Sequence, residues 1–319
     1  MPSDSKKASD KVGKAMHEKK AGTLRSGWRA LVFFIPFALI SFALIGLSFV
    51  VLAQLPLPER DGAPLRIVIP FAISTVVALL LGWICGKYFE HVPYRSLGAS
   101  TTTGWLRHLL LGLVTGGIAI CLAVIAAAAS GGLQLSLNKL SSGTDIGSTL
   151  LGTLLIFAVG AASEETLFRG YLLQTFLRSG HLNFAVALTA FLFASAHGGN
   201  PGVNGLAWFN TLIAGIWFAV AYLKTRDLWF PMGIHLAWNW LQGPVFGINV
   251  SGISGFAADP LFRVNDVGPD WLTGGEYGIE GGLACTVALI ASIVMIHFLP
   301  ALRADTELLA LTSPKRPVS

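Results

Sequence analysis

The chain has 319 residues, 53% of them hydrophobic and only 12% charged, and a mean hydropathy of +0.65. That balance describes a polytopic membrane protein and argues against a soluble domain or a disordered chain. The net charge of +5 then reflects topology and attraction to anionic lipid, so no nucleic acid is expected as a partner.

Residues 1–28 form a basic tail with Lys6, Lys7, Lys11, Lys14, Lys19, Lys20 and Arg25, expected to be poorly ordered before the bilayer. The apolar run at 31–53 is too long for a signal-peptide core and lacks a small-residue cleavage site, so it reads as a span. Further spans of about 20 residues are expected at 65–85, 105–129, 149–173, 184–197, 205–223, 228–245 and 281–299. The fold class is therefore all-α, a membrane bundle of about eight transmembrane helices filling 29–300, with 301–319 a short cytoplasmic extension. Pro36 and Pro231 fall in first turns, where a missing N–H costs little. Gly82-x-x-x-Gly86 and Gly112-x-x-x-Gly116 are spacings that permit close helix approach. The segment 131–148 reads as a polar outer loop. The longer loop at 244–280 carries Asp259, Asp266, Asp270, Glu276 and Glu280 against Arg263, and reads as a solvated excursion rather than a lid. Cys85, Cys121 and Cys285 lie in apolar spans without metal or redox spacing and read as packing residues.

Orientation follows from the basic residues. With both termini cytoplasmic, only Arg60, Arg66, Lys139 and Arg263 of the 22 Lys and Arg fall outside, as the positive-inside rule requires.

Every buried polar constellation legible in the sequence lies between Gly143 and Val245. Glu164 and Glu165 sit with Arg169 inside an apolar span, where an ionisable group costs roughly 2.5–3.5 kcal/mol on insertion scales. Three pairs share a helix face at four-residue spacing: Glu165/Arg169, Phe193/His197 and His235/Asn239. The first pair reads as an ion pair and Phe193 as packing. Glu164, rotated about 100° from Glu165, is free to face a cavity. Arg178-Ser179-Gly180 is the turn signal between the fourth and fifth spans. Glu164 lies sixteen residues before Gly180 and His197 seventeen after, so an antiparallel hairpin puts them at one depth. His235 lies about ten residues beyond the Lys224–Arg226 turn, again at an intermediate depth.

A carboxylate beside a histidine can position and deprotonate water, while a second histidine and an amide are suitable oxyanion donors. No nucleophile motif adjoins the histidines, and Ser195 should face away from His197. His17, His91, His108, His181 and His297 read as nonfunctional.

In their order and on successive helices, Glu164-Glu165-x-x-x-Arg169, Phe193-x-x-x-His197 and His235-x-x-x-Asn239 resemble the three motifs of the CPBP family. These are the CAAX proteases and bacteriocin-processing enzymes, also called the Abi family. The resemblance covers about 149–245 and departs from no motif position. It implies an eight-helix intramembrane endopeptidase in which Glu164 and His197 activate water, His235 and Asn239 stabilise the oxyanion, and Glu165 and Arg169 organise the site. It also implies a membrane-associated protein or peptide as substrate, no cofactor, and a multi-pass location in a prokaryotic cytoplasmic membrane. The residues themselves leave alternatives open. Zinc held by Glu164, His197 and His235 would make a metalloprotease. Outside enzymes, the same groups suit a proton-coupled transporter or a scaffold retaining them for helix association.

Overall fold

A computed structural model describes residues 24–55 and 59–314, so most of the basic N-terminal tail lies outside the described residues. Helix α1 (Ser26–Gln54) buries Ala30, Phe33, Phe37 and Ser41, one stripe at helical spacing, and exposes Ile35, Leu39 and Phe42. A narrow buried stripe with large apolar groups outside is the pattern of a lipid-facing helix. Next come α2 (Glu59–Cys85), α3 (Trp105–Ala129), strand β1 (Leu133–Leu137), α4 (Gly143–Leu167), α5 (Leu173–Arg178), α6 (Leu182–Ala196), α7 (Gly205–Thr225) and α8 (Trp229–Trp240). Strand β2 (Phe262–Asp266), the single turn α9 (Asp270–Thr273), α10 (Leu283–Phe298) and α11 (Thr306–Thr312) complete the chain. The protein is an all-α polytopic bundle, with one strand pair among the described residues.

Each of the eight expected spans is a helix. Five are long and apolar enough to cross a membrane: α1, α2, α3, α7 and the kinked pair α4–α5. The other three, α6, α8 and α10, have 15, 12 and 16 residues. At about 1.5 Å per residue they fall short of a hydrocarbon core roughly 30 Å thick. Helix α1 begins earlier than expected, which places Pro36 in its interior rather than its first turns. Pro231 does lie in the first turn of α8, whose N–H groups at Trp229 and Phe230 donate to Asp227 Oδ1.

Helices α3 and α8 pack with their backbones nearly touching. A Cβ at Gly112 would meet the Phe230 carbonyl, and one at Gly116 the Ile234 carbonyl. The expected small-residue approach is therefore real at Gly112 and Gly116, and it seats the helix that carries His235.

Three expectations about loops fail. The segment 131–148 is not all loop: β1 pairs antiparallel with β2, Leu135 opposite Val264, and α4 starts at Gly143 behind the N-cap Ser142. The loop at 244–280 is not a solvated excursion. Tyr277 and Ile279 are fully buried, and Asn138 Nδ2 and Asn200 Nδ2 donate to its carbonyls at Pro260 and Ser251. The tail after Pro300 docks as well, through buried Leu302 and Leu308 and the Arg95–Glu307 ion pair at 3.2 Å. Neither of the last two signals is periodic over enough residues to show in the sequence.

Candidate active site

The turn at Ser179-Gly180 reverses the chain, with Gly180 in the left-handed region at φ +81°, and α6 packs back against α5 and residues Phe168–Leu172. Glu164 on α4 and His197 at the end of α6 then face each other, Oε2 to Nε2, at 3.9 Å. His235 on α8 brings its Nε2 to the same Glu164 Oε2, also at 3.9 Å. The three groups thus converge as the depth count anticipates. Glu164 Oε2 is buried and has no hydrogen-bond partner. His197 Nδ1 donates to the Phe193 carbonyl at 2.8 Å. A carbonyl can only accept, so this bond places the proton of the neutral ring on Nδ1 and leaves the Nε2 lone pair toward Glu164.

Glu165 points elsewhere, as its 100° rotation requires. Its Oε1 accepts from Arg169 Nη1 at 3.3 Å and from His235 Nδ1 at 2.9 Å. The ion pair with Arg169 was legible in the sequence, but the bond to His235 was not, because it crosses between α4 and α8. Arg169 is fully buried and donates Nη2 to the Gly215 carbonyl at 2.9 Å. Phe193 and Phe218 flank its guanidinium at 4.8 and 5.0 Å, while Phe218 also stacks on His235 at 4.6 Å. Phe193 therefore packs, as expected, and packs against both the cation and His197. Asn239, one turn beyond His235, lines the same cavity as Glu164 and His197. Ser195 is exposed and bonds back to Phe191.

The helix expected to run straight through 149–173 is interrupted. Residues Phe168–Leu172 form a π turn with Gly170 at ψ −129°, the kind of local widening that accompanies functional sites. Buried Gln174 donates to the Arg169 carbonyl inside this turn at 3.3 Å and to the Leu97 carbonyl at 3.1 Å, tying the kink to the Tyr94–Leu97 turn.

Residues 146–241 match the family model for Rce1-like proteins, described as type II CAAX prenyl endopeptidase Rce1-like. That segment holds all three polar pairs and the helices that position them. The match indicates a peptidase and is consistent with a CPBP family intramembrane protease. No curated protein matches it.

The protease encloses a cavity of about 100 Å³ bounded by Glu164, His197, His235 and Asn239. Val250, Ser251, Phe256 and Glu280, from outside the matched segment, line the same cavity. Glu280 was missed because its only sequence signal is one acidic residue in an acidic loop. Asn210 on α7 also lines the cavity, holding the Glu280 and Gly282 carbonyls at 2.8 and 2.9 Å.

Buried ionic groups also occur where none was expected. Glu90 is clasped by Arg29 at 3.1 Å and Arg178 at 2.6 Å, tying α1, the π turn Gly86–Glu90 that follows α2 and the end of α5 together. His108 on α3 pairs with Asp227 just before α8. Both are distant in sequence, so no local spacing announces them.

Proposed function

We propose that this protease hydrolyses a peptide bond of a membrane-associated protein or peptide, using a water held by Glu164 and His197 and no metal ion. The observation that carries the reading is the unpartnered Glu164 Oε2, 3.9 Å from each histidine Nε2. That gap is too long for a hydrogen bond, yet one water reaches both sides at about 2.8 Å. Glu164 and the His197 Nε2 lone pair both accept from this water, which leaves its own lone pairs free to attack.

Attack forms the C–O bond, moves one water proton to Glu164 and places negative charge on the carbonyl oxygen. His235, protonated on both nitrogens, keeps Nδ1–H on Glu165 and donates Nε2–H to that oxygen. Asn239 supplies a second donor from its amide. Collapse breaks the C–N bond as Glu164 returns the proton to the leaving nitrogen. Glu165 and Arg169 act through His235 and hold its ring.

Zinc held by Glu164, His197 and His235 is the alternative that the test must separate from water alone. The distribution of basic residues supports a multi-pass location with both termini cytoplasmic. The test compares membrane-protein termini in cells carrying wild type or Glu164→Gln, beside zinc analysis of the purified protein. Termini lost with Glu164→Gln, and cleavage that survives exhaustive chelation, are expected. Zinc at one per chain, with activity lost on chelation and restored by metal, would replace the reading with the metalloprotease.

A further inference from the structure

Glu280 lies outside the matched segment and has no part in the hydrolysis described above. Its Oε2 accepts three bonds, from the Ser251 N–H, from the Ser251 hydroxyl at 3.1 Å and from Gln242 Nε2 at 3.1 Å. The group is built into the wall on both sides, since Asn210 holds the Glu280 backbone carbonyl. Three donors on one oxygen fix the carboxylate's orientation, and Oε1 makes no hydrogen bond with the described residues. Burial pushes this carboxyl up, against the lowering effect of the Ser251 N–H. A cation entering the cavity would relieve that penalty.

The rest of the cavity says what kind of cation fits. Its volume of about 100 Å³ is below the roughly 300–1,000 Å³ of pockets that take drug-sized ligands, so it suits one side chain rather than a folded-in peptide. Phe157, Trp217, Phe218, Trp238 and Phe256 form aromatic walls, and no Lys or Arg is among the described lining residues. An aliphatic stem with a charged tip matches aromatic walls that end in a carboxylate. A carboxylate entering the same space would meet both Glu164 and Glu280, while the protonated His235 is already held by Glu165.

The geometry points to Glu280 as a specificity-determining residue that selects a lysine or arginine side chain next to the scissile bond. This rests on the endopeptidase reading, with Glu164 placing the reacting carbonyl near the same cavity. It makes the preferred substrate an internal basic segment of a membrane-associated chain.

The test uses the full-length protein in detergent with peptides identical except at one position near the cleavage site, carrying lysine, norleucine or glutamate. Norleucine keeps the stem and removes the charge. Wild type should cleave the lysine peptide at least tenfold faster in kcat/KM than the norleucine peptide, with glutamate slowest. Glu280→Gln should collapse the lysine-to-norleucine ratio to near one, whatever the absolute rates. The same peptides are titrated onto Glu164→Gln and the Glu164→Gln, Glu280→Gln double variant by thermal shift. Lysine-selective binding that disappears with Glu280 supports the inference even if no peptide is cut, in which case only the hydrolytic reading falls. A wild-type preference for norleucine or glutamate overturns it without any variant having to fold. So does a lysine preference, in cleavage or binding, that survives Glu280→Gln.

Discussion

Replacing the two adjacent glutamates by glutamine should separate structure from chemistry. Glu165 is fully buried and is the carboxylate nearest the fully buried Arg169, at 3.3 Å. Glu165→Gln keeps the shape and removes the charge, leaving the guanidinium with the Gly215 carbonyl and three aromatic rings. Removing one partner of a buried pair costs about 3–5 kcal/mol. At about 2–4 °C of Tm per kcal/mol for chains of 150–250 residues, that is a drop of roughly 6–20 °C. Glu164 is different: its side chain is 26% exposed and Oε2 has no hydrogen-bond partner to lose. Glu164→Gln should cost far less stability than Glu165→Gln, because no hydrogen bond is lost with the charge, while cleavage is abolished. Thermal unfolding in detergent, run beside a cleavage assay, reads both. The double variant Glu165→Gln, Arg169→Gln should recover part of the lost stability, because no charge is then left buried without its partner. A stable but inactive Glu165→Gln, or an unstable Glu164→Gln, would refute the assignment of the two carboxylates. So would a double variant no better than Glu165→Gln alone.

His235→Ala and Asn239→Ala each remove one proposed oxyanion donor and should lower kcat by about 10²–10³; a loss confined to KM would count against that role. Gly116→Ala drives a Cβ into the Ile234 carbonyl, next to His235, whereas Gly117→Ala meets only the flexible end of Leu241 at 3.4 Å. The first should destabilise by about 1–3 kcal/mol and lower activity, the second should do neither, and equal melting curves would contradict the close α3–α8 contact. Reporter fusions after Gly255 should behave as extracytoplasmic and those after Asp305 as cytoplasmic, following the basic-residue distribution. An extracytoplasmic C-terminus would overturn that orientation.

Hydropathy and residue spacing sufficed for the membrane class, the positions of the eight apolar helices and the pairs on each helix face. Those features are local: hydrophobic runs set the helices, and four-residue spacing puts Glu165 with Arg169 and His235 with Asn239 whatever surrounds them. Counting residues from the Gly180 turn also recovered the depth match of Glu164 and His197, because rise per residue in a helix is nearly constant.

Tertiary structure alone decided which atoms meet between helices. Helical periodicity fixes the direction of a side chain on its own axis but not the rotation and offset of a neighbouring helix. The Glu165–His235 bond, the Glu90 clasp by Arg29 and Arg178, and the His108–Asp227 pair therefore left no trace in any local pattern. The same holds for the outer loop. Glu280 is one acid among several in the chain, and only the β1–β2 pairing, with the bonds from Asn200 and Asn210, folds that loop back to make it a wall of the cavity.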